Sequence, residues 1–133
     1  MGGGLKLLLD THALLWALSA PEKLSPVARL ALEDSSNALW ISSVSFFEIA
    51  TKVRNGKLPI PGPLLTHWDL TVSRLSAHVL ELSVSQAILA GSLEVIHRDP
   101  FDRLLAAQAM DQGCQLVTCD AAFVGFPELN LLW

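Results

Sequence analysis

Basic side chains are scarce in this chain. Nine lysines and arginines stand against thirteen aspartates and glutamates, giving a formal charge of −4 and a pI near 5.4. That balance argues against tight nucleic-acid binding through a broad basic face. Cysteine is scarcer still, with only Cys114 and Cys119. They flank one predicted strand, where residues five apart point to opposite faces, which argues against a disulfide between them. Two reduced, half-buried thiols in a cytoplasmic protein are the expectation. Long apolar runs are missing too. Leu5–Ala20 is cut by Lys6, Asp10, Thr11 and His12, so it is too short and too polar to span a membrane. A signal peptide would need an uninterrupted apolar centre where Asp10 sits. Gly2–Gly4 reads as a flexible leader or expression scar, and Lys6 stands where a lipidation pattern wants Ser or Thr.

Several motifs are absent as well. His12, His67, His78 and His97 share no metal-ligand spacing, so zinc is not expected. No Ser or Cys stands in a nucleophile elbow, and no glycine-rich phosphate loop follows a strand.

What is present is a globular composition, 51% hydrophobic and 17% charged. The length of 133 residues predicts a single domain over 5–133. Leu5–Leu9 is a short apolar run, as expected for a strand buried on both faces. Thr11–Ser19 has helical spacing and is stopped by Pro21, and Ser25-Pro26 starts a helix running to about Glu33. Ala38–Ile41 predicts the second strand. Ser43 or Ser45 caps a third helix that ends at Asn55–Gly56. Lys57–Pro63 predicts a loop, and helical spacing resumes over Leu64–Leu75. His78–Leu82 predicts a third strand, Ser83 or Ser85 starts a helix to about Leu93, and Asp99-Pro100 starts one that ends before Gly113. Gln115–Cys119 predicts a fourth strand and Leu129–Leu132 an edge strand. This order implies a three-layer α/β/α fold around a mostly parallel sheet of four to five strands.

Four acids then take on meaning together. Asp10 closes the first strand, Glu48 follows the second, Asp102 heads a helix and Asp120 follows the fourth strand. In open α/β sheets ligands bind outside the carboxyl ends of the strands, so acids more than a hundred positions apart share one pocket. Clustered carboxylates repel unless a hard cation neutralises them, and Mg²⁺ or Mn²⁺ prefers oxygen ligands. Each acid alone has a plainer use. Asp10 and Asp99 suit helix caps, Glu48 could close a capping box with Ser45, and Asp120 could start a turn. Thr118 and Asp120 lie on the same side of a strand end and could jointly hold a water. Arg98 and Arg103 are candidates for phosphate contacts. Trp16, Trp40 and Trp68 read first as core, with Trp16 and Trp68 also able to line a partner groove.

The segments Leu7–His12, Ile41–Ala50, His97–Ala109 and Leu116–Asp120 together resemble the PIN-domain ribonucleases, specifically the VapC-type toxins of bacterial toxin–antitoxin pairs. The resemblance covers the chain after its glycine leader, and His97-Arg98-Asp99-Pro100-Phe101-Asp102-Arg103 is its most specific part. It implies that Asp10, Glu48, Asp102 and Asp120 form a Mg²⁺ or Mn²⁺ site, with Asp99 as an outer helper. It also implies endonucleolytic cleavage of structured RNA, a homodimer, and a cognate antitoxin protein as inhibitor. Two other classes compete. A haloacid-dehalogenase phosphatase needs a second Asp two residues after the first, where this chain has His12. A catalytically inactive PIN-fold binding module would tolerate amides at the four acidic positions.

Overall fold

The computed structural model describes residues 4–59 and 63–133. Gly2 and Gly3 of the expected leader, and residues 60–62 of the expected loop, lie outside the described residues. The first half of the chain forms β1 (Lys6–Leu9), α1 (Thr11–Ser19), a 3₁₀ turn (Pro21–Lys23), α2 (Pro26–Glu33), β2 (Ala38–Ser42) and α3 (Ser43–Arg54). There follow α4 (Pro63–Thr66), α5 (Trp68–Arg74), β3 (Ala77–Leu80), α6 (Val84–Ser92) and α7 (Pro100–Gln112). β4 (Gln115–Val117), a 3₁₀ turn (Ala121–Gly125) and β5 (Asn130–Leu132) complete the order.

All five strands are parallel and lie in the order β3-β2-β1-β4-β5. Alternation along β1 divides the core between two faces. Leu7 and Leu9 pack on one face with Leu14, Ile41 and Ile49. Leu8 packs on the other with Leu105, Leu116 and Phe123. Both faces are covered by helices, which is why β1 is a continuous leucine run and not an apolar–polar alternation.

The local chemistry at several junctions differs from the sequence expectation. β2 runs one residue further, and the Ser42 hydroxyl accepts the Val44 N–H at 2.9 Å. Ser42, and neither Ser43 nor Ser45, is therefore the cap of α3. The single helix expected over 64–75 is two, broken at His67, whose φ of −129° and ψ of 50° are non-helical. β3 spans Ala77–Leu80, not 78–82, because its register with β2 ends where Leu80 meets Ser42. β4 stops at Val117, and the Thr118 N–H still reaches the Leu132 carbonyl at 3.2 Å. The two thiols do not share one environment, since Cys114 is buried and Cys119 exposed, and both are free.

Candidate active site

β2 and β3 extend the sheet on one side of β1, and the chain then crosses to lay β4 and β5 on the other. The order reverses between β1 and β4, and the crevice beyond their carboxyl ends is where ligands bind in such sheets. Asp10 stands at the end of β1, and Asp120 stands just past β4.

Asp10 is buried and does two things at once. One carboxylate oxygen accepts the Ala13 N–H at 2.7 Å, capping α1 as the sequence allowed. The other accepts the hydroxyl of Thr118. That hydroxyl in turn accepts the Asp120 N–H at 3.0 Å, so Thr118 ties the two acids together across the crevice. Asp120 also caps its own 3₁₀ turn through the Ala122 N–H at 2.9 Å. Burial pushes the Asp10 carboxyl above its usual value, against the opposing hydrogen bonds from Thr118 and Ala13.

Asp102 arrives from the first turn of α7, where Asp99 is the cap and accepts the Phe101 N–H at 2.9 Å. Its carboxylate is half-buried and meets His97 Nε2 at 2.8 Å. Burial raises this carboxyl too, and the His97 bond works against that rise. The negative charge of Asp120 acts on both Asp10 and Asp102 in the same, raising direction. Three of the four expected acids therefore share one field.

His97 was not among the residues singled out from sequence, because a histidine without a partner at ligand spacing carries no signal alone. Its ring is wedged edge-on against Phe123 and Phe126, with centroids 6.4 and 5.6 Å away. Arg103 corrects another expectation. Its guanidinium donates to the carbonyls of Ala90, Leu93, Val95 and His97, at 3.0, 2.6, 3.3 and 2.9 Å. It is committed to fastening the α6–α7 connection that carries His97, which leaves Arg98, exposed, as the remaining arginine candidate for a phosphate. Arg103→Met should therefore destabilise the fold by at least about 3 kcal/mol, since several carbonyls lose a charged donor. Thermal unfolding would register this, and Arg103→Lys should recover only part, because an ammonium lacks the planar fork.

Glu48 stands apart. It lies in the second turn of α3, so the Ser45 capping box does not form. One oxygen accepts the Thr11 hydroxyl at 2.7 Å, and the other meets Lys52 Nζ at 3.0 Å. Thr11 follows Asp10 directly in the chain, so Glu48 borders the crevice through its neighbour.

Among the described residues no three His, Cys, Asp or Glu side chains form a group able to hold a metal ion unaided. The donor set still fits a hard cation. Asp10 and Asp102 are carboxylates raised by burial, and no lysine or arginine pairs with either among the described residues. Mg²⁺ in particular binds through one or two carboxylates and completes its shell with water and substrate phosphate.

Residues 7–129 match the PIN domain family. The chain is 30% identical over 116 residues to Ribonuclease VapC22 of Mycobacterium tuberculosis (strain ATCC 25618 / H37Rv), covering 85% of each. The structure is similar to one chain in the crystal structure of DNA-bound VapBC from Salmonella typhimurium, with a TM-score of 0.72 and 22% identity over 96% of both chains. It is also similar to one chain of VapBC2 from Rickettsia felis bound to a promoter DNA fragment. There the TM-score is 0.68 at 21% identity, over 96% of this chain and 97% of that one. At these identities the two structures speak to the fold. No helix among the described residues is long and apolar enough to cross a membrane.

Proposed function

The chain belongs to the PIN-domain family and is a homologue of a VapC ribonuclease, and from that premise we propose that it is a divalent-metal-dependent endoribonuclease, the toxin of a toxin–antitoxin pair. The observation that carries this reading is that Asp10, at the end of β1, and Asp102, at the head of α7, are both raised by burial and both feel the charge of Asp120. Asp10 and Asp102 would hold the ion, with water and substrate phosphate completing its shell and Asp120 adding negative charge beside them. Bound there, Mg²⁺ or Mn²⁺ supplies Lewis-acid charge opposite the phosphodiester oxygens.

The chain's own residues set the rest. Thr118 fixes the Asp10 carboxylate against Asp120, and His97 fixes that of Asp102. The aromatic wedge of Phe123 and Phe126 restricts His97 to one orientation. Acid placement is thus settled before substrate arrives, as electrostatic preorganisation requires. The substrate is RNA, and a cognate antitoxin protein is the inhibiting partner.

Growth tests the toxin reading. Expression of the wild type alone in bacteria should slow growth, and Asp10→Ala or Asp102→Ala should relieve it. Circular dichroism must show both variants folded. Relief that comes only with unfolding would mean that the two aspartates act as caps and nothing more.

A further inference from the structure

A phosphodiester substrate brings negative charge to a chain that already carries −4, and one of the two arginine candidates, Arg103, is spent on carbonyls. Among the described residues, Lys52 is the one lysine or arginine in contact with any of the four acids, at 3.0 Å from Glu48 Oε2. An exposed Glu–Lys pair four apart on a helix is commonplace and worth only about 0.3–0.5 kcal/mol. This one differs at its acidic end. Glu48 is 8% exposed, and its other oxygen takes the hydroxyl of Thr11, which itself contacts Ser45 Oγ at 3.1 Å. The carboxylate is therefore fixed, while the Lys52 side chain keeps 31% of its surface in solvent. An ammonium has three donors, and its contact with Glu48 is an ion pair. Glu48 thus carries the ammonium on one oxygen and, on the other, the residue that follows Asp10.

Resting on the ribonuclease reading, we infer that Lys52 is a substrate-contacting residue that binds an RNA backbone phosphate beside the acidic crevice, and that Glu48 is its positioning residue and not a metal ligand. The ammonium already offsets the charge of Glu48, whereas no lysine or arginine pairs with Asp10 or Asp102 among the described residues, so a cation gains less at Glu48 and the carboxylate serves as an anchor for the ammonium. The contact is sequence-independent and electrostatic, so it contributes to binding any RNA and weakens with salt.

The test uses unfractionated tRNA as the probe and Asp102→Asn as the background, so that the RNA stays intact. Lys52→Met in that background should weaken tRNA binding about tenfold at low salt and shallow the slope of log K against log salt by about 0.7–0.9, one phosphate contact. Lys52→Arg should restore the slope. Glu48→Gln keeps an acceptor for Thr11 but releases the ammonium, so it should weaken binding as Lys52→Met does. In the otherwise wild-type chain, Glu48→Gln should leave the Mn²⁺-induced rise in melting temperature intact. The double variant Glu48→Gln/Lys52→Met leaves no unpaired buried charge and should show the same shallower slope if folding of the single variant is compromised. An unchanged salt slope in a folded Lys52→Met protein would overturn the inference while wild-type cleavage stood. Loss of the Mn²⁺ response in Glu48→Gln would equally overturn it, by making Glu48 a ligand. A wild type that neither binds tRNA nor cleaves RNA would remove the ribonuclease reading and this inference with it.

Discussion

Asp102→Asn is expected to lower RNA turnover by at least about a hundredfold, the order found when a group that stabilises transition-state charge is removed. Asp99→Asn, three residues earlier, should lower it by less than about tenfold, because Asn caps a helix about as well as Asp does. The two positions are separated by geometry. Asp99 is exposed and spends its carboxylate on the Phe101 N–H. Asp102 is half-buried, held by His97, and lies in the field of Asp120. Asn at position 102 preserves volume and an acceptor for His97 while removing the charge that binds a cation. Turnover measured at saturating Mn²⁺, with both variants shown folded, checks the ranking. The reverse order would move the third acidic position to Asp99.

Millimolar Mn²⁺ or Mg²⁺ should raise the melting temperature of the wild type clearly, and that of Asp10→Asn much less. Mass action at a hundred times the dissociation constant stabilises the folded state by about 2.7 kcal/mol. The pH dependence has a definite sign. The Asp10 and Asp102 carboxyls are raised above 3.8 in the fold, so between the unfolded and folded values the native state holds more protons than the unfolded chain. Their contribution to stability is complete below the unfolded value and is lost as pH rises through the folded values. At neutral pH the metal-free protein therefore carries two desolvated carboxylates at a cost, which a cation offsets. The gain from Mn²⁺ should be largest near neutrality and shrink on acidification as protons compete for the same oxygens. A differential scanning series across pH, with and without chelator, measures this. An equal Mn²⁺ response in Asp10→Asn would place any bound ion elsewhere.

Both sites of expected effect were legible in the sequence because strand ends and helix starts are written locally. The leucine run closed by Asp10 gives β1 and its exit, and Asp99-Pro100 gives the head of α7 that carries Asp102. The parallel order then brings residues from distant positions to one edge of the sheet. What was not legible depends on contacts between elements. Thr118 looked like a partner for a water, but its hydroxyl is given to Asp10. Arg103 has the side chain of a phosphate ligand, yet the carbonyls that claim it belong to the end of α6 and the loop after it. Nothing in the one-dimensional pattern announces that loop's path. Glu48 was grouped with the other three acids on its place after the second strand and on the motif match. Neither announces its contacts with Thr11 and Lys52, one of which sits on a different helix. The break at His67 escaped because both sides of it keep helical spacing, and only the backbone angles of that residue divide them.

Cleavage of total tRNA and rRNA tests the central claim most directly, with wild type in millimolar Mn²⁺ compared with wild type in chelator and with Asp10→Asn in Mn²⁺. The account predicts discrete RNA fragments from the first reaction and intact RNA from the other two. Equal cleavage in chelator, or by folded Asp10→Asn, would contradict it. So would intact RNA throughout from a folded wild type that binds Mn²⁺, the behaviour of a PIN fold that binds without catalysing.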